Sequence, residues 1–363
     1  MTHSARLFVG VQTGVSPLSA GAFARMRGAL AGRRKQITMK SESFPILPTS
    51  VDSPGPAAPR PSREWDIGPI VDRLRESREV THSVRFHGRV RELPSRADLV
   101  AIVHNLYAAL FPTHFGRHDL TDESIDFFVG ATLNDALLSL SEQIRRGLQF
   151  APGRHAESES QLRDEAVVIT RAFGHELPEI RNVLVTDLAA AFSGDPAATS
   201  VSEILLCYRG VNAIIHHRLA HALHRLGVPV VPRLIADIAH EATGVDIHPG
   251  AQIGGSFFID HGTGVVIGET AVVGEHVRLY QAVTLGAKRF PTDVTGALIK
   301  GEPRHPIIED HVVIYAGATV LGRITVGRNS SIGGNVWLTQ SVPPGSNITQ
   351  AQTRTGRASD VTQ

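Results

Sequence analysis

A single cysteine, Cys207, stands in a chain of 363 residues, so neither an internal disulfide nor a cysteine-based metal cluster can form. That scarcity suits a reducing compartment, and the cytoplasm is the expected location. Cys207 falls in an apolar helical run, where buried packing is the expectation. Net charge is nearly missing too. Lys+Arg number 36 against 35 Asp+Glu, a formal +1 without the basic excess of a dedicated nucleic-acid binder. No window offers about 18 uninterrupted apolar residues, so no helical membrane span is expected. The first forty residues contain no Asp or Glu but carry Arg6, Arg25, Arg27, Arg33 and Arg34. This composition resembles an organellar transit peptide, and the preferred reading is an upstream extension with a working start at Met39. Prolines recur from Pro45 to Pro61, so residues 1–62 are expected to be a disordered extension and linker.

What the chain does have is a period of six. Apolar residues recur at Ile247, Ile253, Ile259, Val265, Ala271, Val277 and Val283, then at Ile308, Ile314, Val320, Val326, Ile332 and Leu338. Helices repeat at 3.6 residues and strands alternate at 2, so neither gives a strict six. A parallel β-helix does, with one short strand and one corner per hexad. Gly254, Gly327 and Gly333 directly follow repeat positions, as tight corners require. The coil should occupy residues 244–342, with an excursion at 287–306 and a flexible tail at 343–363.

Residues 63–243 have helical periodicity instead. Leu99, Ile102, Val103, Leu106, Tyr107 and Leu110 mark one helix, with Ser95 as its N-cap and Pro112 as its stop. Ile125, Phe128, Val129, Leu133, Leu137 and Leu140 mark a second. Others are expected over 162–173, 180–192, 204–226 and 229–242, with Gly194-Asp195-Pro196 as a sharp break. His216, His217, His221 and His224 share one helix at spacings that can bind zinc, but nothing acidic or cysteinyl completes a set. Packing and hydrogen bonding are their expected roles. The fold class is α+β, an all-α domain capping a parallel β-helix.

Two clusters on the coil carry chemistry: Asp246-Ile247-His248-Pro249 and Asp260-His261-Gly262-Thr263-Gly264. Asp246 and His261 are fifteen residues apart, and one coil of three hexads is about eighteen. They should therefore occupy successive coils near one corner, where strands about 4.8 Å apart let a carboxylate reach an imidazole. Such a carboxylate fixes the ring tautomer and raises the basicity of the other nitrogen, as a base removing a hydroxyl proton needs. Arg304, in Pro303-Arg304-His305-Pro306, offers a planar fork for a carboxylate.

These motifs, with Val266-Ile267-Gly268-Glu269-Thr270 and Gln281-Ala282-Val283-Thr284-Leu285-Gly286 between them, resemble the serine O-acetyltransferases. The excursion through Leu298-Ile299-Lys300-Gly301 resembles a branch with a larger loop. The resemblance implies a left-handed β-helix and acetyl transfer from acetyl-CoA to L-serine in cysteine biosynthesis, without a metal. It implies His261 as general base and Asp246 as its partner. Asp260 and Asp195 would meet the substrate ammonium, and Arg304 and His305 its carboxylate. Gly286, Ala287 and Ala316 would line the acetyl-CoA groove, although Ala287 replaces a Gly common in the family. Relatives form trimers, commonly paired into hexamers, and are inhibited by L-cysteine. Many end in an Ile that docks into O-acetylserine sulfhydrylase. This chain ends Val361-Thr362-Gln363, so association by that route is expected to be weak or absent.

Three rival readings remain. A hexapeptide acetyltransferase for a sugar or other alcohol would keep His261 but have no need of Arg304, Asp260 and Asp195. A zinc hydratase of the γ-carbonic-anhydrase kind would draw ligands from His248, His261, His276, His305 and His311. A scaffold would turn nothing over.

Overall fold

The computed structural model describes residues 65–81, 85–86, 88–151, 154 and 157–351. The expectations for residues 1–62 and most of the tail lie outside them.

After α1 (Ile67–Thr81) and a small hairpin of β1 (Arg85–Phe86) and β2 (Arg89–Val90), the helical part begins with α2 (Arg96–Leu110). Ser95 caps α2 as expected, its hydroxyl accepting from the Asp98 N–H at 3.2 Å. A one-turn α3 (Pro112–Phe115) follows, then α4 (Ile125–Leu148), whose Gln143 accepts from the Ser95 N–H and donates to Asp98. The two helices expected over 162–173 and 180–192 are one, α5 (Glu159–Gly194), with Pro178 inside it. The helix continues because Phe173, Leu177, Ile180 and Leu184 keep one buried stripe across the proline. The carbonyl that the proline ring crowds belongs to Gly174, the residue four positions back with least bulk.

The helix expected over 204–226 is instead two, α6 (Val201–Cys207) and α7 (Arg209–Arg225). Tyr208 breaks it with extended backbone, φ −81° and ψ 118°. The break seats Gly210 against the Ile259 backbone, where a Cβ would come within 2.2 Å of the carbonyl oxygen. It also leaves Cys207 on the last residue of α6, exposed rather than buried as expected. The next helix, α8 (Val231–Thr243), ends on Gly244 in the left-handed region at φ 71°.

Fourteen short strands then wind into a left-handed coil of three parallel faces. The first face stacks β3 (Asp246–Ile247), β6 (Val266–Ile267), β9 (Thr284–Gly286), β12 (Thr319–Leu321) and β15 (Trp337–Leu338). The second holds β4 (Gln252–Ile253), β7 (Val272–Val273), β10 (Ile307–Ile308) and β13 (Thr325–Val326). The third holds β5 (Phe258–Ile259), β8 (Arg278–Leu279), β11 (Val313–Ile314), β14 (Ser331–Ile332) and β16 (Asn347–Ile348).

The expected count slips by two. Ile247 pairs with Ile267, not with Val265, because the corner at Asp260–Gly264 holds two extra residues. Val265, Ala271, Val277 and Val283 are still buried, two residues before the strand residues that fill the core. The chain leaves the first face after Gly286 and rejoins the second at Ile307. The intervening segment is folded back through a Thr292–Leu298 bridge, with Asp293 Oδ1 accepting from the Thr295 and Ala297 N–H groups.

Helices and coil share one continuous apolar core. A buried ion pair fastens them. Arg218 of α7 binds Asp187 of α5 at 2.7 and 2.9 Å and the Ile253 and Gly254 carbonyls, while Asp187 also accepts from the Phe257 N–H. No helix among the described residues is long and apolar enough to cross a membrane.

Candidate active site

The two extra corner residues place His261 at the centre of a three-residue turn. The Gly262 N–H donates to the Asp260 carbonyl at 2.7 Å, and His261 takes φ +60°. That is strained backbone for a side chain with a Cβ, of the kind that concentrates at functional sites. The turn projects the imidazole outward, its side chain 69% exposed, while Asp260 beside it is 10% exposed. Asp260 Oδ1 lies 3.8 Å from His261 Nδ1, and Oδ2 accepts from Arg278 Nη2 at 2.6 Å.

Asp195 joins this corner from the helical side. It caps the C-terminus of α5, so the helix break read from Gly194-Asp195-Pro196 is present. Its Oδ1 accepts from the Ala197 N–H at 2.8 Å and its Oδ2 from the Tyr208 hydroxyl at 2.6 Å. The Tyr208 bond foremost, then the Ala197 N–H and the nearby Arg278 charge, hold the Asp195 carboxyl below the usual range. The same bond, with burial and neighbouring acids, pushes the Tyr208 phenol up to about 12. Arg278 Nη1 donates to the Gly194 carbonyl at 2.8 Å, so one guanidinium spans both acidic segments.

Asp246 opens β3, and its N–H donates to the Val265 carbonyl at 2.9 Å, just past the His261 turn. The corner is therefore shared, on a coil of twenty residues rather than about eighteen. Among the described residues no hydrogen bond or ion pair joins the Asp246 carboxylate to the His261 ring.

Arg304 and His305 form a second cluster at the other end of the first face, just before β10. Arg304 Nη2 binds Glu269 Oε2 at 2.5 Å. Burial opposes ionisation of Glu269, yet Arg304, with His248 and His305 nearby, keeps its carboxyl below the usual range. Thr270 organises the pair. Its hydroxyl accepts from the Arg304 and His305 N–H groups at 2.9 and 3.1 Å. Its own N–H points at His305 Nδ1 at 3.0 Å. A backbone N–H can only donate, so Nδ1 is the acceptor and the ring proton sits on Nε2, free to donate to a carboxylate. Burial first, then the Arg304 charge, lowers the His305 pKa and keeps this neutral form. The ring lies on Gly268, where a Cβ would come within 2.0 Å of it.

The structure thus gathers Asp195, Asp260 and His261 at one corner and Arg304 and His305 at another. Gly286 lies beside the second cluster, closing the Gly322 N–H bond at 3.0 Å, followed by Ala287 at the start of the excursion. Ala316 belongs to the first corner, its carbonyl accepting from the Asn335 N–H at 2.9 Å. The histidines named for zinc are scattered. His276 and His311 stack on each other at 4.7 Å on a third corner, away from His261 and from the His248–His305 edge. No group of three metal-binding side chains occurs among the described residues. On α7, His216 bonds Tyr107 and the Asn212 carbonyl, and His221 the Pro249 carbonyl.

Sequence reasoning missed Tyr208, Arg278 and the roles of Glu269 and Thr270. Only the true coil length could have flagged Arg278, whose strand partner is Phe258, two residues before Asp260.

A helical cap on a coil of hexads, with a histidine and acids on one corner, defines a hexapeptide-repeat transferase. The profile described as "Bacterial transferase hexapeptide (six repeats)" matches residues 305–340, and that of "Serine acetyltransferase, N-terminal" matches residues 127–215. A plasmid serine acetyltransferase of Synechococcus elongatus is 56% identical over 298 residues, covering 80% of this chain and 93% of its own. Among solved structures, Entamoeba histolytica serine acetyltransferase 1 in complex with L-cysteine is 35% identical. It aligns with TM-score 0.60 over 77% of this chain and 97% of its own. The native form of that enzyme aligns with TM-score 0.59 at 33% identity, over the same shares of both chains. The chain belongs to the serine acetyltransferase family.

Proposed function

We propose that this protein transfers the acetyl group of acetyl-CoA to the hydroxyl of L-serine, releasing O-acetyl-L-serine and CoA. The observation that carries the reading is the division of charge. Asp195 and Asp260 flank His261, while Arg304 and an Nε2-protonated His305 stand ready for a carboxylate. An amino-acid alcohol needs both. The His261 imidazole takes the serine hydroxyl proton as the oxygen attacks the thioester carbonyl. Backbone N–H groups at the glycine-rich corners hold the oxyanion. Collapse breaks the C–S bond, and the imidazolium returns its proton to the departing thiolate. A positioned base of this kind supplies about 10² to 10⁴ in rate. Asp246, one coil away, steadies the imidazolium once the ring turns toward it.

The two clusters sit on different corners of one coil, so the complete pocket forms where coils of neighbouring copies meet, in a trimer or a dimer of trimers. Gly286, Ala287 and Ala316 line the acetyl-CoA groove in that assembly. L-Cysteine presents the same ammonium and carboxylate as L-serine and should compete for the pocket, in keeping with its presence in the Entamoeba histolytica structure.

The test is thiol release from acetyl-CoA across L-serine, other amino-acid alcohols and sugars, with the product identified by NMR. L-Serine should be preferred at least a hundredfold, since a site that offers acids to an ammonium and a cation to a carboxylate leaves them unpaired with substrates lacking those groups. A sugar turned over better than L-serine would overturn the reading.

A further inference from the structure

We infer that Arg278 is a positioning residue that braces the two ammonium-side carboxylates against each other. This rests on the acetyl-transfer reading above and adds to it a residue at the same corner.

The geometry is specific. One guanidinium donates through Nη1 to the Gly194 carbonyl and through Nη2 to Asp260, at 2.8 and 2.6 Å. Gly194 is the residue before Asp195, so the fork ties the end of α5 to the His261 turn. The guanidinium is itself held flat, 5.0 Å from the Phe258 ring centroid and 4.6 Å from that of Tyr280. Tyr280 in turn stacks on Tyr315 at 5.2 Å. A planar cation stacked on aromatics loses little freedom in making two bonds at once, which an ammonium on a flexible stem cannot match. Gly194 also packs closely here, since a Cβ at that position would come within 3.0 Å of Phe258.

The consequence for chemistry is a fixed spacing. Asp195 and Asp260 come from different parts of the fold, and an ammonium group bound by both requires their spacing to be fixed. Arg278 fixes it while leaving Asp260 Oδ1 open on the His261 side.

The test compares Arg278→Met and Arg278→Lys with the native protein in steady-state kinetics, with melting temperatures alongside. Arg278→Met should raise KM for L-serine roughly tenfold or more, with KM for acetyl-CoA little changed. Arg278→Lys retains the charge but not the fork, so KM for L-serine should still rise. A native-like KM for L-serine in Arg278→Met would overturn the inference, as would a fall in kcat with lowered melting temperature and no change in that KM. Should Arg278→Met fail to fold, a native KM for L-serine in Arg278→Lys overturns it. Native protein that releases no thiol with L-serine instead refutes the acetyl-transfer reading, and the two failures are therefore distinct.

Discussion

The Tyr208 hydroxyl, from the break between two helices that the sequence pattern runs together, donates to Asp195 Oδ2 at 2.6 Å. The bond turns a helix-capping aspartate into a carboxylate aimed at the corner that carries His261. Tyr208→Phe should raise KM for L-serine by roughly threefold to tenfold, modest because Asp195 is only partly buried. Its kcat should change less. Steady-state kinetics at saturating acetyl-CoA check this, and an unaltered KM would remove Asp195 from the ammonium subsite.

Thr270 holds Arg304 and His305 through its hydroxyl and its N–H. Thr270→Val keeps the N–H and the volume but leaves two backbone donors without an acceptor. KM for L-serine should rise about tenfold, and Thr270→Ser should restore most of it. Titration with L-cysteine should show the same order of affinities.

Glu142 of α4 pairs with Arg145, whose side chain is 7% exposed and also meets Glu92 and Glu159. The Arg145 bond foremost drops the Glu142 pKa from 4.5 to about 2. A carboxylate depressed in the fold contributes stability above its unfolded pKa and loses it as pH falls through the folded one. Glu142→Gln should therefore cost about 1–2 kcal/mol near neutrality, discounted because Glu142 is 40% exposed. The difference from native should shrink between pH 4.5 and about 2. Urea unfolding at several pH values measures it.

Chains carrying His261→Ala and chains carrying Arg304→Ala should each be nearly inactive. Refolded together in equal amounts, they should recover about a quarter of native activity, the chance that a given interface pairs one of each in productive order. Recovery no greater than the sum of the separate preparations would place both clusters of a working site in one chain.

Much of this architecture was legible in the sequence. Ile247 through Leu338 announce the coil because each inward residue is apolar and each corner tight. The phase step at Asp260–Gly264 was not, since Val265 and Ile267 are both buried and either satisfies a hexad. The helix expected to break between 173 and 180 does not, because burial on both sides of Pro178 outweighs one missing hydrogen bond. The motif residues Asp195, Asp260, His261, Arg304 and His305 were legible as types suited to a zwitterion. Tyr208 and Arg278 were not, because their partners are set by a helix break and a coil register that only folding reveals.

The most direct test of the whole account is thiol release from acetyl-CoA with L-serine by the native chain and by His261→Ala, with folding checked by circular dichroism. The exposed His261 side chain supports no packing, so the variant should fold normally and lose about 10² to 10⁴ in kcat. A folded His261→Ala variant that keeps its rate within about threefold would show that this imidazole is not the base.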